Sequence, residues 1–463
     1  MSHLTGRVLR PGVPGWGAAC QGFAEWAPYN QNVPQVIVFC QDTHDVVNAV
    51  NWARENQVPL RVRSGRHNYE AFSSLVKDGI IVDVSEIGFI RAEAGGTHAT
   101  VGAGLDIVSL MEGLNDVGVS IPAATGASVG LCGLTLGGGF GMTTRLWGMT
   151  CDNLTGLEIV TADGQVLKAS AAEHPDLFWA CRGGGGGNFG VVTAFTFKVH
   201  PVGNTVIFNL TWGWEAFEAV VDAWQRWAPV TDNRVSTALM LLSTRSIKLY
   251  GQFTAADQDL PLIQSLLAPM LAAAPAQSVS INVVPYIVAT RTFLRVDPLN
   301  PQWFVEPHDD DQIFKSTSAY VFDLLDSGGI RTLKTYLEDP PGQSCPPSQP
   351  SMVQLLGAGG AVQDIPPDAT AVYARAAKFI IQYDAYWTAP QDEIPTLDWA
   401  EAFRTAMQPW TRGAYVNYVD LRIADYLEEY YGQNLPRLVQ IKAQYDPGNL
   451  FNFPQSIPVA LPG

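Results

Sequence analysis

Two runs of glycine lie close together in this chain, Gly137-Gly138-Gly139 and Gly183–Gly187. Glycine has no Cβ, so such runs let backbone approach backbone or a ligand, and they disfavour helix. Their N–H groups can form nests for an anion such as a phosphate. Tight packing of turns against strands would use the same runs, and on composition the two readings weigh about equally. Context narrows the choice. Gly185-x-Gly187-x-x-Gly190 spells the dinucleotide fingerprint, which needs a strand before it and a helix after it. Here Pro175–Cys181 reads as a helix and Val191–Val199 as a β-branched strand, which argues against a nicotinamide site. Gly126-x-Ser128-x-Gly130 spells the nucleophile elbow of hydrolases, but the stretch Leu131–Gly141 holds five glycines and is expected to form no stable helix. Ser128 as a nucleophile is therefore a minor reading.

A length of 463 residues corresponds to two or three domains at ~150 residues each. Val36–Cys40, Leu60–Arg63, Gly79–Val84 and Thr97–Val101 read as strands. Asp42 or Thr43 can cap a helix over His44–Gln57, and Asp106–Val117 suits another. Leu157–Thr161 and Gln165–Ala169 flank Ala162-Asp163-Gly164, a hairpin turn. The rhythm is α+β rather than alternating βαβ. His200–Asn204 is a plausible boundary, Pro340–Pro350 a loop, and Ala424–Tyr431 and Leu435–Gln444 helices. Ala377–Trp387 alternates as a strand. Phe379, Ile381, Tyr383, Ala385 and Trp387 share one face; Lys378, Ile380, Gln382, Asp384 and Tyr386 share the other.

Charge and cysteine pattern restrict partners. With 28 basic and 44 acidic residues, 28 − 44 gives −16, a poor match for nucleic acid or an anionic membrane. No run approaches the ~18 apolar residues of a membrane helix, and the N-terminus does not read as a secretory signal. The six cysteines contain no C-x-x-C pair, so reduced thiols and a cytoplasmic protein are expected. No histidine pair has metal-ligand spacing. His308-Asp309-Asp310-Asp311 reads as a solvated acidic loop rather than a cation site. Oligomeric state is not legible.

Arg63-Ser64-Gly65-Arg66-His67-Asn68-Tyr69 is the most specific string. It follows a strand, and by spacing alone a basic surface turn explains it at least as well as a ligand loop. It resembles the first phosphate loop of the vanillyl-alcohol-oxidase (PCMH) type of FAD-binding domain, whose histidine in many members carries the flavin covalently. The resemblance continues through Val129 and the glycine-rich loop with Gly130, Gly133, Gly137, Gly138 and Gly141. It continues through Cys151-Asp152-Asn153 and Leu177 to Gly190 and Val192. Near the end Tyr415, Asn417, Tyr418 and Asp420, the Tyr430–Asn434 stretch, and Tyr445 to Asn452 and Pro458 resemble the berberine-bridge-enzyme-like branch.

The resemblance implies an α+β fold in which residues 1–203 and 413–463 build a two-part FAD domain. Residues 204–412 would form an inserted substrate domain with an antiparallel sheet. It implies FAD held by the loops just named, with His67 as the covalent link. The second, cysteinyl link of many relatives falls at Gly126 here, so the bond would be single, as in the pattern similar to 6-hydroxy-D-nicotine oxidase. Arg66 stands where many relatives have glycine. A histidine of relatives before the glycine triplet is Leu134, and an acidic base of sugar-oxidising relatives is Leu356. Tyr418 then matches the catalytic tyrosine. As a base it would need its pKa depressed from ~10 by a cation, and Lys378 is the candidate. Gln354 and Gln382 would meet the substrate, Tyr69 would wall the pocket, and Tyr383, Tyr386 and Trp387 would add aromatic surface. The implied reaction is oxidation of an alcohol, amine, sugar or secondary metabolite, with molecular oxygen as acceptor. Val129 matches a position that in relatives governs oxygen access, which favours an oxidase. A dehydrogenase on the same scaffold, a Ser128 hydrolase and a non-catalytic flavin binder are the alternatives.

Overall fold

The computed structural model describes residues 3–255, 260–294, 313–340 and 350–461. The acidic string 308–311, Cys345 and most of the Pro340–Pro350 stretch lie outside the described residues. Four short strands open the chain: β1 (Arg7–Leu9), β2 (Val36–Phe39), β3 (Leu60–Arg63) and β4 (Ile80–Asp83), in the order β1-β2-β4-β3. β4 runs parallel to both β2 and β3. β2 and β4 are buried throughout, as a parallel sheet covered on both faces requires. Between β2 and β3 the expected helix spans Thr43–Asn56, its first turn capped by Asp42 accepting from Asp45 N at 2.9 Å.

Next come β5 (Ile90–Ala92), β6 (His98–Gly102), the short β7 (Val119–Ser120), β8 (Leu154–Val160), β9 (Val166–Ser170), β10 (Val191–Lys198) and β11 (His200–Pro201). The antiparallel order β5-β6-β10-β8-β9 makes the second sheet, and β7 pairs with β11. The β8–β9 turn closes as the sequence predicts: Thr161 Oγ donates to Asp163 at 2.6 Å, and Gly164 takes a φ of 81°. One expectation fails. Leu131–Leu136 is a helix. Four of the five glycines fall beyond it, and Leu131, Cys132, Leu134 and Leu136 are buried, so tertiary packing overrides the poor propensity.

The third sheet holds β12 (Asn204–Gly213), β13 (Val235–Leu242), β14 (Ser246–Phe253), β15 (Ser278–Pro285), β16 (Phe314–Val321), β17 (Met352–Gly357) and β18 (Phe379–Tyr386). Its order is β15-β12-β14-β13-β17-β18-β16, antiparallel at each pairing. Alternation gives it two faces. Leu239, Leu249, Val353, Phe379, Ile381 and Tyr383 join a second core with the helices Phe217–Trp227, Ser327–Glu338 and Glu393–Met407. Tyr383 therefore belongs to that core and not to a pocket wall. The opposite face carries Met240, Gln354, Gln382 and Asp384 toward the first half of the chain. After residue 413 the chain returns, and Leu438, Ile441, Phe451 and Ile457 join the core built by β2, β4, β8 and β10. Among the described residues no helix is long and apolar enough to cross a membrane.

A buried ion pair secures that return. Lys442 Nζ donates to Asn188 O at 2.8 Å, Phe451 O at 2.7 Å and Asp446 Oδ2 at 2.7 Å. Asp446 also accepts from Leu450 N and Phe451 N. Removing the lysine leaves a buried carboxylate unpaired. Lys442→Met is therefore expected to cost about 3–5 kcal/mol, read as a lower unfolding midpoint in denaturant, whereas a surface change such as Lys334→Met should move it little.

Candidate active site

The loop after β3 and the loop before Leu131–Leu136 meet backbone to backbone. A Cβ on Gly65 would lie 2.0 Å from Gly130 N, so no side chain fits at this crossing. Arg66 adopts a φ of 63°, the left-handed region that glycine enters freely; an arginine there costs about 1 kcal/mol. This explains why glycine suits the position. Arg66 donates to Ala18 O at 3.3 Å, and burial lowers its pKa to about 10. Arg63 is buried, with Nε on Asp83 Oδ2 at 2.6 Å and Nη1 on Ala19 O at 2.8 Å. Its Nη2 is buried with no protein partner.

These loops line a cavity of about 1060 Å³ that reaches the polar face of the third sheet. Ligand pockets span ~300–1,000 Å³, so there is room for a large ligand. The predicted segment Arg63 to Tyr69 lies on the wall, as do Val129, Gly130, Gly133, Gly141, Gly190, Val192, Tyr415, Asn417 and Tyr418. Gln354 and Gln382 line it from the sheet, together with Tyr386 and Leu356. Six predicted residues, Tyr383 of the second core among them, are not on this wall. Gly137 packs on Asn417, where a Cβ would fall 2.0 Å from Oδ1, and Gly138 packs on Met149. Asn452 borders a separate groove with Arg61 and Tyr445. Lys378 precedes β18, its backbone bonded to Val321 and Ala358. Trp387 is also off the wall. The C-terminal motif clamps the glycine loop: Tyr415 Oη accepts from Gly139 N at 2.8 Å and from Asn417 Nδ2 at 2.9 Å, and Asn417 also donates to Leu134 O at 3.1 Å.

His67 stacks on Phe23 with ring centroids 4.0 Å apart, and its Nε2 lies 2.7 Å from Ser128 Oγ. Burial lowers its pKa to about 4, so the imidazole is neutral at pH 7. The Ser128–His67 contact and the helix after Gly130 bring the hydrolase reading nearer than the sequence allowed. A triad also needs a group that orients the histidine, and among the described residues no carboxylate bonds to His67.

Tyr69 and Tyr418 stack with centroids 5.8 Å apart, and Phe314 meets Tyr69 edge-on at 5.2 Å. Burial pushes the Tyr418 phenol well above its usual range, and Tyr69, Tyr415 and Asp384 push it further. The cation expected at Lys378 is not here, so Tyr418 is a neutral phenol and a hydrogen-bond donor rather than a standing base. The lysine that is close by is Lys315, which sequence reading missed. It ion-pairs with Glu70 and, at 2.6 Å, with Asp420 Oδ1. One cation from β16 thereby ties the residue after Tyr69 to the residue two past Tyr418. Burial raises the Glu70 pKa despite Lys315. For Asp420 burial is the largest influence and acts upward, but Lys315, Thr317 and the Arg422 N–H together outweigh it and the pKa falls.

Asp384 was missed as a site residue although the period of β18 places it beside Gln382. It accepts from Gln354 Nε2 at 2.7 Å, Gln382 Nε2 at 2.9 Å and Ser316 Oγ at 2.7 Å.

FAD fits these residues. The glycine crossing and the glycines 185–187 supply a backbone-lined cradle for phosphates, and His67 lines the same cavity as Gln354 and Gln382 of the sheet. Lys315→Met should cost about 3–5 kcal/mol by leaving two carboxylates buried, and adding Glu70→Gln should recover part of it. Unfolding midpoints of the single and double variants check this.

Comparisons with known proteins agree with the geometry. Residues 34–170 match the FAD binding domain family and residues 414–458 the berberine and berberine-like family. The chain is 38% identical over 463 residues to the FAD-linked oxidoreductase YgaK of Bacillus subtilis, covering 99% of this chain and 98% of the relative. It is 29% identical to monolignol oxidoreductase AtBBE-like 13 of Arabidopsis thaliana, covering 91% and 83%. The solved structure of Physcomitrella patens BBE-like 1 superposes with a TM-score of 0.90 at 27% identity, covering 98% of this chain and 97% of that one. The protein is an FAD-linked oxidoreductase that belongs to the berberine-bridge-enzyme-like branch of the PCMH-type FAD-binding family.

Proposed function

We propose that this chain is an oxidase: it takes a hydride from an alcohol, amine or secondary-metabolite carbon, passes the electrons to molecular oxygen and releases hydrogen peroxide. The observation that carries the proposal is the single cavity running from the glycine-lined cradle past His67 to a polar, aromatic-walled sheet face. The proposal divides the chain into residues 1–203 and 413–463 for FAD and 204–412 for the substrate; in support, the second core lies wholly within 204–412, and the first draws mainly on the other two segments, joined by Tyr286, Leu294 and Ala371.

When bound, FAD supplies the hydride acceptor and the route to oxygen. Arg63, Ser64, Gly65, Arg66, Asn68, Gly130, Gly133, Gly141, Gly190 and Val192 would hold it, with Tyr415 and Asn417 bracing the glycine loop. His67 is the proposed covalent link, and its neutral ring has the lone pair such a bond needs. A second link through Cys132 has no support, because burial pushes that thiol up to about 12 and keeps it protonated. On the substrate side Tyr418 donates a hydrogen bond, Gln354 and Gln382 orient polar groups, and Tyr69, Phe314 and Tyr386 exclude water.

Dehydrogenase is the second reading. The fold hosts both outcomes: structures of the grass pollen allergen Phl p 4 are described as a glucose dehydrogenase for the wild type and as a glucose oxidase for an isoleucine-to-valine variant. Small Val129 on the cavity wall supports the oxidase reading here. Turnover of any accepted donor under air is expected to yield one peroxide per substrate. Activity seen only with an added dye acceptor would support the dehydrogenase instead. Tyr418→Phe is expected to lower kcat about tenfold, the size of one lost hydrogen bond, with the flavin spectrum unchanged.

A further inference from the structure

We propose that Lys248, at the far end of the sheet face, is a second anchor of the cavity, so that the substrate is an elongated molecule with a carboxylate at the end remote from the oxidised carbon; this rests on the reading that the same cavity holds FAD and substrate. The register of the third sheet sets the spacing. Gln382 of β18 stands opposite Gln354 of β17, Gln354 opposite Met240 of β13, and Met240 opposite Lys248 of β14. All four line the cavity. Three strand spacings of ~4.8 Å separate the ends of this row, roughly 14 Å. The row changes character along its length. At one end Gln382 lies against the Tyr69 phenol, and Tyr69 stacks on Tyr418. In the middle Met240, Leu242 and Met352 pack into an apolar cluster flanked by Tyr250 and Tyr386. At the far end stands the half-buried Lys248.

Lys248 is the cation that this cavity leaves uncommitted. Of the other basic side chains on the wall, Arg63 is held by Asp83 and Ala19 O, Arg66 donates to Ala18 O, and His67 meets Ser128. Lys248 has no hydrogen-bond or ion-pair partner among the described residues. An ammonium beside methionine and tyrosine side chains gives up hydration that a bound anion restores through charge-assisted hydrogen bonds. Asp384, the carboxylate of the described lining, lies three strands from β14. That is roughly 14 Å, beyond the ~8 Å screening length at physiological salt. Lys248 offers one point charge and no planar fork, which suits the single charge of a carboxylate better than a phosphate. A net charge of −16 also opposes a dianion more strongly than a monoanion. The methionine and tyrosine surface between the two ends takes an apolar or aromatic body.

The test uses two probes of one shape: a biphenyl with hydroxymethyl at one para position and carboxylate at the other, and the matching carboxamide. Titration calorimetry on the holoenzyme at neutral pH should show the carboxylate binding about fivefold more tightly, the margin of a partly exposed charge pair. Raising salt from about 0.05 M to about 0.5 M should weaken the carboxylate alone. Lys248→Met should bring the carboxylate down to the carboxamide, and Lys248→Arg, which keeps the charge, should keep the preference. Equal affinities in the wild type, failure of the carboxylate to bind, or a preference that survives in the Met variant would overturn the proposal. If the Met variant does not fold, the wild-type comparison and its salt dependence decide. Protein colour separates this from the flavin reading: a yellow protein without carboxylate preference lacks only the anchor, and a colourless protein that prefers the carboxylate keeps the anchor without the flavin.

Discussion

At one point in this molecule two loops touch with no side chain between them. Gly65 lies against Gly130, and a methyl group on either would fall inside the other's backbone. The contact decides how near the strand β3 loop comes to the loop before Leu131–Leu136. It brings His67, two residues past Gly65, to Ser128, two residues before Gly130. Gly141 repeats the device at Ala123, where a Cβ would lie 1.6 Å from the carbonyl oxygen. A wider crossing would separate His67 from Ser128 and open the slot to water.

The cradle alone makes no active site; it needs the third sheet in a fixed position. Lys315 provides that link with a single charge, because its two carboxylate partners flank the two stacked tyrosines, Tyr69 and Tyr418. Burial makes the arrangement costly and therefore selective: an unpaired carboxylate in this place is worse than either partner in water. The same burial holds the Tyr418 phenol neutral. The chemistry the site can do thus follows from where charges are placed. The cavity is lined by the Gln354, Gln382 and Asp384 cluster, by aromatic side chains and by a neutral imidazole.

Much of this was legible in the sequence, for identifiable reasons. The capping aspartate Asp42, the Asp163-Gly164 turn and the alternation of β18 are local signals, and each element formed as read. Most of the predicted site residues fall on the cavity wall because they cluster in short strings around Gly65, Gly130 and Tyr415. What escaped depends on contacts between distant residues. The helix Leu131–Leu136 forms because its apolar residues are buried, which glycine content cannot reveal. Lys378 is suggested by its nearness to Gln382 in sequence, whereas Lys315 reaches Glu70 across 245 positions, which no local signal reveals. Tyr383 was read as pocket wall although its own strand period puts it on the core face. Asp384 shares a face with Gln382 in the strand pattern, but nothing in the string announces that Gln354, Gln382 and Ser316 donate to it.

His67 is proposed to carry an FAD in the cavity that the Gly65 and Gly130 loops line. An absorption spectrum, acid precipitation and intact mass, taken on the wild type and on His67→Ala, test it most directly. The account predicts yellow wild-type protein whose colour stays in the acid pellet, with the mass of the chain plus one FAD, and an Ala variant that releases its flavin and returns to the chain mass. Colourless wild-type protein at the bare chain mass would contradict the account, and yellow colour released from the wild type into the supernatant would remove the covalent bond from it.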